Sequence, residues 1–128
     1  MKKILIYEAD SGNMNLWKLY SSSMNGFEFT FIEKCEQAIK LANKFKFDLF
    51  ISSAWTPELG CIRLLKEVKN SKLNKKIKAL LFSAFLSTRL ESEERQSYFD
   101  AGFSEIIHLP ILKSDFINSI NGVLELTK

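Results

Sequence analysis

The chain has 128 residues, 46% of them hydrophobic and 26% charged, and a net charge of +3. That length supports one buried core, and that composition excludes a disordered, collagen-like or fibrous chain. No apolar run approaches a membrane span, and after Met1-Lys2-Lys3 only Ile4 to Tyr7 precede the acids at Glu8 and Asp10. That stretch is too short for a signal peptide, so a cytoplasmic domain with no membrane partner is expected.

Taken in chain order, apolar runs alternate with helical periodicity. Ile4 to Tyr7 is a continuous apolar strand. Met14 to Met24 carries Leu16, Trp17, Leu19 and Tyr20 at three- and four-residue spacing, which predicts an amphipathic helix ended by Asn25-Gly26. Phe27-Glu28-Phe29-Thr30-Phe31 alternates strictly, as an edge strand does. A helix is predicted from about Lys34 to Lys44, then a strand over Leu49 to Ser52, then a helix from Cys61 to Asn70 with Ile62, Leu65 and Val68 inward. Ile77 to Phe82 reads as the fourth strand. Ser87 or Thr88 is placed to cap a fourth helix, with Glu91 completing the capping-box spacing from Thr88, and Ala101-Gly102 ends that helix. Glu105 to His108 is a fifth strand, and Ser114 or Asp115 leads into a last helix ending near Leu126.

Five strand-helix units in succession predict an α/β fold: a five-stranded parallel sheet with helices on both faces. Right-handed crossovers give the flavodoxin-like order 2-1-3-4-5 over residues 1–128, without a linker, repeat or second domain.

Cys35 and Cys61 form no CxxC pair and the chain has one His, so they read as small buried apolar groups of a reducing compartment. Lys66, Lys69, Lys72, Lys75, Lys76 and Lys78 lack interleaved aromatics and read as a solvated helix end and loop, so no nucleic-acid partner is expected. The lone His108 reads as a packed strand-end residue.

In a sheet of this kind the ligand crevice lies beyond the carboxyl ends of the strands. The residues that reach it are Glu8-Ala9-Asp10 after strand one, Ser53 to Thr56 after strand three, Ser83-Ala84 after strand four and His108-Leu109-Pro110 after strand five. The two prolines, Pro57 and Pro110, both fall on these loops.

The stretches KKILIYEAD, DLFISSAWTPELG, ALLFSAF and AGFSEIIHLPI, in this order and spacing, resemble the receiver domain of bacterial response regulators, the CheY-like family, along the whole chain. In that family a histidine kinase passes a phosphoryl group to an aspartate at the end of strand three. Acids after strand one join that aspartate in holding magnesium, and a Ser or Thr after strand four and a Lys before the Pro after strand five bind the phosphoryl oxygens. A trianion approaching a carboxylate needs these cations.

Carried over residue by residue, the resemblance puts Ser53 at the acceptor position. The acidic pair falls on Glu8 and Ala9, with Asp10 one place further on. The hydroxyl is kept as Ser83, the lysine position is Leu109, and the aromatic switch position on strand five is Ile106. The resemblance also implies a cis bond at Leu109-Pro110. One carboxylate of the pair offers magnesium about one direct ligand, and no base stands beside Ser53 to activate it. Neither a cofactor nor an enzymatic activity is expected.

Trp55, Phe85 and Leu109 are expected around the mouth of this degenerate pocket, packed on one another so that the loops after strands four and five are held in one state. The resemblance further implies a partner face on the fourth helix, fifth strand and fifth helix, including Arg89, Glu93, Glu94, Arg95, Gln96, Lys113 and Asn118, for a protein partner or a second copy. The first reading is therefore a pseudo-receiver: a signalling module working by protein contact without aspartyl phosphorylation. Two others stand beside it: a small-molecule or nucleotide-binding domain reusing the crevice, and an unorthodox receiver that is still phosphorylated.

Overall fold

The computed structural model describes residues 1–84 and 92–125. The elements follow one another as β1 (Lys2–Tyr7), α1 (Ser11–Ser21), β2 (Phe27–Ile32), α2 (Cys35–Lys44), β3 (Leu49–Ser53), α3 (Cys61–Lys69), β4 (Lys78–Ser83), α4 (Ser92–Ala101), β5 (Glu105–His108) and α5 (Lys113–Val123). The strands form one parallel sheet in the order β2-β1-β3-β4-β5, so β2 and β5 are the edges.

The central strands are apolar without a break because both faces of the sheet are covered. Side chains alternate between two cores. Leu5, Tyr7, Phe50 and Leu81 pack with Ala38, Leu64, Leu65 and Val68 of α2 and α3. Ile4, Ile6, Ile51, Leu80 and Phe82 pack with Trp17 of α1 and with Phe116 and Ile120 of α5. Trp17 is the largest residue of the second core: its ring stacks on Phe116 at 5.6 Å and meets the Phe82 ring edge-on at 4.9 Å. Such pairs add about 0.5–1.5 kcal/mol each beyond the area they bury.

The first helix differs from expectation at both ends. It begins at Ser11 because the Asp10 carboxylate caps it, accepting a hydrogen bond from the Asn13 N–H at 2.8 Å. It stops at Ser21 because the serine hydroxyls turn back on the last carbonyls, Ser21 on Lys18 and Ser22 on Leu19. Gly26, at φ 85°, then serves the turn into β2. The fifth helix begins at Lys113, one residue before its expected caps, with Leu112 at the N-cap. It ends at Val123, with Leu124 at the C-cap, short of the expected end near Leu126, while the expected caps Ser87 and Thr88 of the fourth helix, with Glu91, lie outside the described residues. Gly102 ends α4 at φ 118°, where a Cβ would come 3.1 Å from Cε of Lys69 and 3.5 Å from Leu65.

At the amino ends of the strands one buried side chain joins three segments. Asn74, 2% exposed, donates to the carbonyls of Ala42 (2.6 Å) and Phe45 (2.9 Å), donates to the Ser71 hydroxyl (3.3 Å), and accepts from the Phe47 N–H (2.8 Å). Removing it strands several backbone groups away from water, each costing about 1–3 kcal/mol. N74A is expected to destabilise the fold by about 2–4 kcal/mol in a urea titration, and a loss below about 1 kcal/mol would contradict this role.

Candidate functional site

The crevice beyond the carboxyl ends of β1, β3 and β4 is organised around Glu8. This residue is 1% exposed, and two N–H groups converge on its carboxyl group. The Trp17 indole N–H donates to Oε1 at 2.9 Å and the Asp10 N–H donates to Oε2 at 3.1 Å, with the Ser53 hydroxyl nearby. Burial nevertheless holds the Glu8 carboxyl above its usual range; these groups pull it down and the Asp10 charge pushes it up again. Asp10 is exposed and is committed to capping α1. Ala9 points to the other side and packs against the α2–α3 core.

The loop after β3 satisfies itself. Ser52 and Thr56 both donate their hydroxyls to the Ser53 carbonyl, at 3.0 and 2.9 Å, and the Ser53 hydroxyl accepts from the Trp55 N–H at 3.3 Å. The Ala54 N–H reaches across to the Phe82 carbonyl at 2.7 Å, which fixes the loop to β4. Ser83 is buried at the end of β4, and its carbonyl accepts from the Leu109 N–H at 2.8 Å. The Leu109-Pro110 bond is cis. Thus Glu8, Ser53 and Ser83 gather at the strand ends, and no charged side chain of β3 or of the β5–α5 loop joins them.

Two small cavities lie side by side. One, of about 220 Å³, is lined by Glu8, Asp10, Asn13, Ser53, Trp55 and Ala84. The other, of about 270 Å³, is lined by Asn13, Leu16, Trp17, Ala84, Leu109, Pro110 and Ile111. Two of the expected trio are described: Trp55 is 52% exposed over the first cavity, and Leu109 packs on the core around Trp17, Phe82 and Phe116. The aromatic cluster offers Leu109 an apolar surface already removed from water. Phe85 lies outside the described residues, as does Arg89.

Of the proposed partner face, Glu93, Glu94, Gln96, Lys113 and Asn118 are exposed and Arg95 is half-buried. The Gln96 amide donates to Asp100 Oδ1 at 2.8 Å. Ile106 packs inward against the α2–α3 core, and the half-buried His108 has an Nδ1 with no hydrogen-bond partner among the described residues. Cys35 and Cys61 are buried free thiols, and burial pushes Cys61 up to about 11, so it stays protonated at neutral pH. Among the described residues no three of His, Cys, Asp and Glu gather as metal ligands, and no helix is long and apolar enough to cross a membrane.

Solved structures resemble this one closely in shape. A chemotaxis protein from Vibrio cholerae superposes with a TM-score of 0.84 at 18% identity, over 96% of this chain and 98% of that one. The receiver domain of a Francisella response regulator gives 0.80 at 23% identity, over 100% of both chains. The fold is that of a receiver domain. The receiver domain of a Pseudomonas aeruginosa sensor histidine kinase, solved with a magnesium ion coordinated in its active-site cleft, gives 0.81 at 15% identity over 97% of this chain and 98% of that one. No family model and no curated protein matches the sequence.

The sequence reading missed Trp17 as a site residue and placed it only on the apolar stripe of α1. A signal for it was present: a buried indole N–H needs an acceptor, and a carboxylate at a buried strand end needs a donor.

Because native Glu8 keeps its proton to higher pH than it does in the unfolded chain, its contribution to stability falls as pH rises from the ordinary carboxylate value through the raised one. Glutamine in its place can still accept from Trp17 and carries no such step. E8Q is expected to gain on the parent in thermal midpoint as pH is raised from about 4 to about 8. A difference that stays constant across that range would contradict the burial of an ionisable group here.

Proposed function

We propose that this chain is a receiver-like signalling module that works by protein–protein contact and does not pass through an aspartyl phosphate. The observation that carries the reading is the state of Glu8. Its oxygens are taken by the Trp17 indole and by the Asp10 N–H inside a buried pocket. In the receivers that the sequence resembles, the matching acid holds magnesium, with a second acid beside it and the acceptor aspartate opposite. Here those two places are Ala9 and Ser53, and the lysine place is Leu109, turned into the aromatic core. The residues present do not fit magnesium: one carboxylate already bonded to two N–H groups leaves a hard cation short of oxygen ligands. With neither the metal nor an ammonium group, the negative charge of a transferring phosphoryl group is uncompensated.

Ser53 is no substitute acceptor. Ser53 is 6% exposed, its hydroxyl accepts from the Trp55 N–H, and the one carboxyl group beside it, Glu8, already accepts from two N–H groups, with no His or Lys among the residues that line the cavity. The module is accordingly read as non-enzymatic and free of a cofactor.

Signalling then rests on surface. The exposed charges Glu93, Glu94 and Lys113 are of both signs, which suits a protein partner or a second copy. A groove of about 530 Å³ runs along the β5 edge, lined by Glu105, Ile107, His108, Asp115 and Asn118 among others. A strand at the edge of the sheet beside a helix supports docking, since an incoming segment can pair with its outward backbone groups.

Incubation with acetyl phosphate and magnesium, followed by intact mass measurement, tests the reading. The mass is expected to remain that of the unmodified chain, and a gain of one phosphoryl group would refute the proposal.

A further inference from the structure

At the opposite end of the sheet, around the amino ends of the strands, lies a depression of about 490 Å³. Among the described residues, Lys2, Lys46, Lys72, Lys75, Lys76 and Lys78 line it, with Asp48 as the one acid. They arrive from β1, the α2–β3 loop, the α3–β4 loop and β4. Six of the chain's 18 Lys and Arg and one of its 15 Asp and Glu are therefore here, five net positive charges against +3 for the whole chain. The other described residues carry 10 Lys and Arg against 13 Asp and Glu, a net charge of −3.

We infer that this depression is a binding site for a compact oligophosphate. Like charges brought together in a hollow repel one another and raise the local concentration of anions. The hollow is also prebuilt. Asn74 clamps the ends of α2 and α3 to the start of β3, the Asp48 carboxylate is engaged by the Lys3 N–H at 2.8 Å, and the Lys78 ammonium is anchored to the Val123 carbonyl at 3.0 Å. A ligand is thus met by charges whose backbone is already ordered, which lowers the entropy lost on binding.

The lining chooses among anions. It contains lysines and no arginine, so it offers several compact point charges, which suit an anion whose charge is spread over many oxygens in a small volume. The one aromatic ring of its lining, Phe47, is 6% exposed, so a nucleobase inside the hollow finds no ring face to stack upon. The size lies within the range of small-ligand sites, and the charges converge on it and do not run along a track. Those features favour a short chain of phosphates over a nucleic-acid strand or an acidic peptide. The inference is independent of the chemistry of the Glu8 crevice.

Amide signals of the nitrogen-15-labelled protein, titrated with sodium tripolyphosphate at low salt, test it. Residues 46–48 and 72–78 are expected to shift along one saturable curve while those around Glu8 and Ser53 stay in place. Lys46 and Lys75 are exposed, so the variant K46E/K75E should keep its fold and bind at least about tenfold more weakly. Sodium sulfate at equal ionic strength should need at least about tenfold higher concentration to give the same shifts. Shifts that never saturate, an equal response to sulfate, or an unchanged midpoint in the variant would overturn the assignment. So would a single-stranded oligonucleotide or a polyglutamate that saturates the same amides at lower concentration than tripolyphosphate, since the natural ligand would then be a macromolecule.

Discussion

A carboxyl group that is 1% exposed has to be answered by donors from the protein itself, and in this molecule the principal one is the indole of Trp17. That single hydrogen bond joins the end of β1 to the second turn of α1. The same indole stacks on Phe116 of α5 and meets Phe82 of β4, and Leu109 packs on this cluster from the β5–α5 loop. Four of the segments that border the crevice are thus referred to one aromatic ring, and the acid at its edge is turned inward as a structural acceptor. The chemistry available at the strand ends follows from this constraint: hydroxyls bonded to their own loops, a capping aspartate and a buried glutamate already supplied with partners.

The fold was open to reading because its strands are short, nearly uninterrupted apolar runs separated by helical stripes, a pattern set by burial on both sheet faces. The strictly alternating Phe27 to Phe31 was equally clear as an edge, since alternation marks a strand with one drier face. Helix ends were less legible. Asp10 stood out only as an acid reaching the crevice, whereas its side chain begins α1, and the serines of Ser21-Ser22 end that helix before the Asn-Gly pair that looked like the stop. Caps depend on which way one side chain turns, and periodicity does not carry that information.

The site was legible position by position and not as a packed whole. Ser53, Ala9 and Leu109 stand out from the order of the motifs. The Trp17–Glu8 contact, and the packing of Leu109 on the Trp17 core, are long-range choices of packing. Asn74 shows the same limit, because its four partners are spread over residues 42–71. The lysine hollow does too: Lys72 to Lys78 form a visible run, but Lys2 and Lys46 reach it only through the parallel register of β1 and β3. The folded chain is consequently polarised, with an acidic, internally bonded crevice at the carboxyl ends of its strands and a cationic hollow at their amino ends.

The account stands on Glu8 being an internal acceptor and not a ligand. The chain has two tryptophans, one buried against Glu8 and one half-exposed at the mouth of the crevice, so each indole N–H gives its own nuclear magnetic resonance signal and Trp55 serves as the control. Following both signals while magnesium is added to about 10 mM, beyond the concentrations that fill ordinary weak hard-cation sites, asks directly whether the metal can displace the indole. The Trp17 signal is predicted to stay in place and remain slow to exchange with solvent. A saturable magnesium-dependent shift of that signal, with loss of its protection, would contradict the account.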